Sequence, residues 1–121
     1  MPIILVIDDE PTLRRLLGKV LQTAGYRTLL AETGTEGLHL LTRTPIDALI
    51  CDLELPDITG VEVCRAVAAL PQYANLPIIL ISGGSVAPHP SECRYTQFMR
   101  KPFQPSSLVA RLKQLVPDDS G

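Results

Sequence analysis

Chemistry in this chain gathers in four places: Asp8-Asp9-Glu10, Asp52, Ser82 and Lys101. Each lies at or just beyond the end of a short apolar run, namely Ile3–Ile7, Ala48–Cys51, Ile78–Ile81 and Thr96–Met99. Taken singly, each has a plain structural role. Asp9 and Glu10 complement a helix N-terminus, Asp52 opens the turn before Pro56, Ser82 starts a Gly-rich turn, and Lys101 is a solvated lysine. Taken together, they share one rim if the apolar runs are parallel neighbours, and that rim is where open α/β sheets build their sites. Two carboxylates about 4 Å apart repel by ~4 kcal/mol at an effective dielectric of ~20, so three in one pocket require a compensating charge. A hard divalent cation provides it, and Mg2+ accepts few carboxylates while keeping several waters. The same cation and Lys101 would neutralise an incoming phosphoryl group. An aspartate is a competent nucleophile toward phosphorus, and phosphoryl transfer asks a protein mainly for positioning and charge stabilisation.

The elements that must position these groups are legible. Ile3–Ile7 is a continuous apolar run, as suits a strand covered on both faces. Beyond Pro11, which fits a first helical turn with Asp9 or Glu10 near the cap, the period changes. Leu13, Leu16, Leu17, Val20, Leu21 and Ala24 line one helix face, and Gly25 is a stop. Tyr26–Leu30 reads as a second strand. Thr33 and Glu36 have capping-box spacing and open a helix carrying Leu38 and Leu41 that ends before Pro45. Ala48–Cys51 is a third strand. Thr59 and Glu62 open the next helix, with Val63, Val67 and Leu70, which Pro71 stops. Ile78–Ile81 and the weaker Thr96–Met99 complete five strands, and a last helix carries Leu108, Leu112 and Leu115. The alternation implies right-handed crossovers and a doubly wound parallel sheet. A single domain is expected over residues 1–121, with a core of about 3–116 and a frayed tail at 117–121.

Composition narrows the function classes. With 45% hydrophobic and 20% charged residues, the chain is globular rather than disordered. Its 121 residues suffice for one core. Eleven basic against 13 acidic residues leave no basic excess for direct nucleic-acid binding, and a DNA-reading module has no room. No apolar run reaches the ~20 residues of a membrane span. The opening segment lacks the features of a signal peptide. Cys51, Cys64 and Cys93 form no CxxC pair, only His39 and His89 could join them at a metal, and they read as free thiols in a reducing cytoplasm.

The motifs ILVIDDEP at 4–11, DALICDLELPDITG at 47–60, PIILIS at 77–82 and FMRKPF at 98–103 resemble the response-regulator receiver domain of two-component signalling, of the chemotaxis-regulator type, over about residues 3–116. The resemblance implies a flavodoxin-like five-stranded sheet of order 2-1-3-4-5, an order taken from the family and not from periodicity. It implies that Asp52 is the phosphoacceptor, and that Asp8, Asp9, Asp52 and the backbone carbonyl of Glu54 hold Mg2+, Asp8 through water. It further implies that Ser82 is the switch hydroxyl, that Lys101 pairs with the phosphate before a cis Lys101–Pro102 bond, and that Phe98 is the aromatic switch residue. Phe98 equally suits plain core. A histidine kinase or histidine phosphotransfer protein is the implied donor, and a downstream protein target or effector domain the reader. The protein would be cytoplasmic and no conventional enzyme, catalysing only its own phosphorylation and dephosphorylation.

One stretch departs from the family. Pro88-His89-Pro90 excludes a regular helix through residues 84–89, so the family's fourth helix is expected to be shortened or irregular, with at best a turn or two near Ser91–Tyr95. Gly83 stands where the family usually has alanine. The readout surface is therefore expected to be atypical beside an intact acidic set. Glu54 is expected at the pocket mouth, tuning the phosphoryl lifetime. Three rivals are weaker. A phosphorylation-independent pseudo-receiver would normally have lost the Asp, the Lys or the metal carboxylates, and all are present here. An aspartate-nucleophile phosphatase needs a DxD pair, absent at Asp52-Leu53-Glu54. An FMN carrier needs a phosphate loop after the first strand, where this chain is acidic.

Overall fold

The computed structural model describes residues 1–84 and 86–117. Of the tail expected to fray, residues 118–121 lie outside this range. Five parallel strands form one sheet: β1 (Ile3–Ile7), β2 (Arg27–Ala31), β3 (Ala48–Asp52), β4 (Ile78–Ser82) and β5 (Gln97–Arg100), in the order β2-β1-β3-β4-β5. Helices α1 (Pro11–Thr23), α2 (Gly34–Arg43), α3 (Gly60–Ala68) and α4 (Pro105–Leu115) cover its two faces.

Every residue of β3 and β4 is buried, as are four of the five in β1. That is the signature of central strands in a two-sided sheet, and it explains the unbroken apolar runs. Alternation along the strands sends Leu5, Ile7, Leu49, Cys51, Ile78 and Leu80 into one core cluster and Ile4, Val6, Ile50, Ile79 and Ile81 into the other. The first is closed by Val63, Cys64 and Val67 of α3 and Leu41 of α2, the second by Leu17, Leu21, Leu108 and Leu112 of α1 and α4.

Helix boundaries follow local chemistry. Pro11 occupies the first turn of α1 behind Glu10, whose side chain makes no capping bond. Gly25 ends that region at φ 101°, in the left-handed conformation that glycine adopts without strain. Thr59 and Glu62 form the reciprocal capping box at α3. Strand β2 begins one residue later than the sequence suggests. Tyr26 is fully buried, its amide closes on Leu21 O at 3.0 Å and its hydroxyl donates to Val116 O, so it finishes the turn instead of pairing. After α3 a short 3-10 turn, Pro71–Tyr73, places the Tyr73 hydroxyl against the carbonyls of Leu41 (2.8 Å) and Thr44 (3.1 Å) and the amide of Ile46 (3.2 Å).

Between β4 and β5 the described residues contain no helix, only a turn at 90–92. The two prolines flanking His89 have the effect expected of them. The segment is instead held by bonds to its surroundings and within itself. Arg65 Nε donates to Glu92 O (2.8 Å), Arg94 reaches Leu76 O (3.0 Å) and Tyr73 O (3.2 Å), and Tyr95 OH donates to Pro88 O.

Candidate functional site

Register brings the expected residues together. Ile7 pairs with Cys51, so Asp8 and Asp52 stand side by side as β1 and β3 end. Asp52 pairs with Ile81, and Ser82 with Arg100, which sets Ser82 and Lys101 at the same rim. The backbone continues the ladder there: Leu53 N–H donates to Ile81 O (2.9 Å) and Lys101 N–H to Ser82 O (2.8 Å). The Lys101–Pro102 bond is cis.

The carboxylates of Asp8, Asp9 and Asp52 each place an oxygen within 4.8 Å of the others. Asp8 is 0% and Asp52 3% exposed, while Asp9 is exposed. Lys101 Nζ lies 2.7 Å from Asp52 Oδ2, 3.1 Å from Asp8 Oδ2 and 3.9 Å from Glu10 Oε2. One oxygen of each buried aspartate is fixed by its own chain: Asp8 Oδ1 accepts from Glu10 N–H (2.8 Å) and Asp52 Oδ1 from Glu54 N–H (2.9 Å). Asp8 Oδ2 has the ionic contact with Lys101 but no aligned hydrogen-bond donor, although it is buried. Three converging carboxylates, with a buried Asp8 oxygen that lacks an aligned donor, fit a hard cation such as Mg2+.

The electrostatics are balanced tightly. Burial pushes the Asp52 carboxyl above the ordinary value, against the hydrogen bonds from Lys101 and the Glu54 amide. Burial alone would lower the Lys101 ammonium, yet the neighbouring Asp52 and Asp8 carboxylates outweigh that and raise it. Lys101 is therefore a fixed positive charge.

Ser82 is fully buried, and its hydroxyl donates to the Glu54 carboxylate, whose two oxygens both stand 2.8 Å from Oγ. Glu54 lies at the pocket mouth as the sequence suggests, but its side chain crosses to Ser82. Phe98 is half-buried against the α3-side core, with the Arg100 guanidinium 5.8 Å above its ring. Two positioning contacts escaped the sequence reading. Arg14 Nη1 donates to the backbone carbonyl of Asp8 (2.8 Å), so α1 grips the end of β1. At Gly60, the first residue of α3, a Cβ would sit 2.7 Å from Asp52 O. Its lack of a side chain lets α3 abut the strand end that carries Asp52. Arg14, on the first helical turn after Asp8, was the available signal for the first.

The response regulator receiver domain family matches residues 4–113. The chemotaxis protein CheY homolog of Campylobacter jejuni is 32% identical over 98% of this chain and 95% of its own length. This chain belongs to the response regulator receiver domain family. The receiver is also 33% identical to the transcriptional regulatory protein KdpE of Mycobacterium tuberculosis, over 96% of this chain but only 51% of that protein, so it spans about half of that relative's length. Among solved structures, the chemotaxis response regulator CheY4 of Vibrio cholerae superposes with a TM-score of 0.85 at 29% identity, covering 96% of the receiver and 99% of CheY4. Receiver domains of this family use Mg2+ at an acidic pocket, here the Asp8, Asp9 and Asp52 cluster. Among the described residues of the receiver no helix is long and apolar enough to cross a membrane.

Proposed function

We propose that the receiver accepts a phosphoryl group on Asp52 from a histidine kinase or a histidine phosphotransfer protein, and that this charge switches a protein–protein surface read by a downstream target or effector domain. The observation that carries the reading is the convergence of the Asp8, Asp9 and Asp52 carboxylates at the ends of β1 and β3, with Lys101 beyond β5 in contact with Asp8 and Asp52. Asp8, Asp9, Asp52 and the Glu54 carbonyl would hold Mg2+, which when bound supplies positive charge to the phosphoryl oxygens. The site is cytoplasmic in this reading, and the protein is no conventional enzyme.

The chain's own residues do the rest. Asp52 is oriented by the Glu54 amide, leaving a carboxylate oxygen to attack phosphorus while the donor imidazole departs. Lys101, 2.7 Å from that carboxylate, meets the charge that builds on the phosphoryl oxygens. Ser82 then has two anionic acceptors within reach, the Glu54 carboxylate it now serves and the new phosphoryl group. Its transfer to the phosphoryl group moves the strand-4 loop and lets Phe98 turn inward, so two packings differ in their affinity for the phosphate.

Incubation with acetyl phosphate and Mg2+ tests this. Intact-mass spectrometry should show one added phosphoryl group, lost in Asp52→Asn. Modification that persists in that variant places the nucleophile elsewhere, and a wild type that stays unmodified points to a phosphate-independent module.

A further inference from the structure

The loop between β3 and α3 carries the Glu54 backbone past the acidic rim. At its neck Gly60 N–H donates to Leu53 O at 3.0 Å. At its tip the Asp57 side chain crosses to another element. Asp57 Oδ1 accepts from Gly34 N–H (2.9 Å), Oδ2 accepts from Thr35 N–H (2.8 Å), and the Thr35 hydroxyl donates to Oδ2 as well. Gly34 and Thr35 open α2, so their amides have no acceptor within the helix. The N-cap Thr33 takes the third such amide, Glu36 N–H, at 3.1 Å. Asp57 thus caps α2 from outside it, at the end where the helix dipole favours a carboxylate. The Thr35 hydroxyl and amide hold the Asp57 carboxyl well below the usual carboxylate range. Packing repeats the contact, since a Cβ on Gly34 would collide with the Ile58 side chain.

Helix α2 is a fixed reference for that loop. A Cβ on Gly37 would collide with Ile7 of β1, and Leu41 is buried in the α3-side core. Ala31, just ahead of α2, accepts the Asp8 N–H at 3.0 Å. The end of β1 and the loop after β3 are therefore both tied to the same few residues around the start of α2.

We propose that Asp57 is a positioning residue for the Asp52 site, a latch that clips the β3–α3 loop to α2 and so holds the Glu54 backbone against Asp52. It touches no reacting atom. It acts through Glu54, whose N–H orients Asp52 Oδ1 and whose carbonyl is the proposed Mg2+ ligand. The metal half of this role rests on the phosphoacceptor reading; the orientation of Asp52 does not. With the latch open, the loop pivots on its Leu53–Gly60 neck and the Glu54 N–H leaves Asp52 more often. A carboxylate that turns freely presents its oxygens to the cation and to phosphorus in fewer productive poses.

Amide hydrogen exchange at Glu54 in the metal-free protein, read by NMR, and calorimetric titration with Mg2+ test this. Asp57→Ala should speed the exchange and weaken Mg2+ binding, each by about tenfold, the lower end for an outer partner of a metal ligand. Thr33→Ala removes a cap from the same helix end. It should lower Tm as Asp57→Ala does, yet leave exchange and Mg2+ binding at wild-type values, which separates positioning from helix stability. Asp57→Asn drops the charge but keeps an acceptor for Gly34 N–H, and should recover most of the loss. Unchanged Glu54 exchange in Asp57→Ala, an equal change in Thr33→Ala, or an asparagine variant as impaired as the alanine one would each overturn the proposal. Exchange requires neither Mg2+ nor phosphate. Faster exchange in Asp57→Ala beside a wild type that binds no Mg2+ would uphold the latch and refute the metal reading.

Discussion

Replacing Lys101 with methionine keeps most of the side-chain volume and removes one charge from between two buried carboxylates. The ammonium stands 2.7 Å from Asp52 and 3.1 Å from Asp8, and those side chains are 4% and 0% exposed. Without it, two carboxylates within 4.8 Å face each other, a repulsion of roughly 3–4 kcal/mol at an effective dielectric of about 20. Lys101 itself is 19% exposed and the rim is wet, so about 2 kcal/mol of lost stability is the working figure. For a chain of 121 residues that is a fall in Tm of about 8 °C at neutral pH. The pH dependence is the sharper test. Asp52 already has a raised pKa, and removing Lys101 takes away an opposing influence and lifts it further. A carboxyl with a raised folded pKa contributes stability below its ordinary pKa near 3.8 and loses it as pH rises through the folded value. The variant's deficit should therefore be small at pH 4.5 and full at pH 7.5. Lys101 shows the complementary limb. Its raised pKa gives the wild type stability below 10.5 that is lost at higher pH, and the variant should lack that fall. Thermal melts at these pH values, with and without Mg2+, decide it. Mg2+ should stabilise the variant more than the wild type, because it meets an undiluted acidic cluster. A deficit equal at both acidic and neutral pH, or an equal response to Mg2+, would refute the electrostatic account.

Three further outcomes are expected. Glu54→Ala removes the acceptor that holds the Ser82 hydroxyl; phosphorylation by acetyl phosphate should accelerate up to about tenfold, the scale of one hydrogen bond to a charged group, and an unchanged rate would show that this bond does not compete. Gly60→Ala forces a Cβ to within 2.7 Å of Asp52 O; a loss of about 1–3 kcal/mol and weaker Mg2+ binding should appear together in denaturant melts and titration. Tyr73→Phe strips the hydroxyl from buried backbone groups of Leu41, Thr44 and Ile46; a cost of about 1–3 kcal/mol should be visible as a lower urea midpoint.

The sheet was legible because its central strands are buried on both faces, leaving apolar runs such as Ile78–Ile81 without interruption. The rim residues were legible because their types, an acid pair, an acid, a hydroxyl and a lysine, fall together at strand ends, a coincidence that their separate local roles do not explain. The lack of a helix among the described residues between β4 and β5 followed from two prolines, a covalent constraint that tertiary contacts cannot override. What escaped the sequence depends on side chains meeting across long separations. The Glu54–Ser82 bond spans 28 residues and the hydroxyl of Tyr73 reaches back 32 residues to Leu41. Neither leaves a periodic or compositional trace. The shift at Tyr26 has the same origin. Its β-propensity favours a strand, but a buried ring with a hydroxyl partner at Val116 fixes it in the turn.

The stretch between β4 and β5, helix-free among its described residues, alters how a disturbance at Ser82 can spread. A helix keeps its amide bonds to itself and swings as a lever, carrying a small push to its far end. Here most of the fastenings run outward, to Arg65 of α3 and from Arg94 to the Leu76 and Tyr73 carbonyls, while Tyr95 to Pro88 closes the loop on itself. They can be undone singly, so under the proposed switch a motion started at the strand tip would be spent near its source, and a partner reading it would be expected to grip close to the acidic rim.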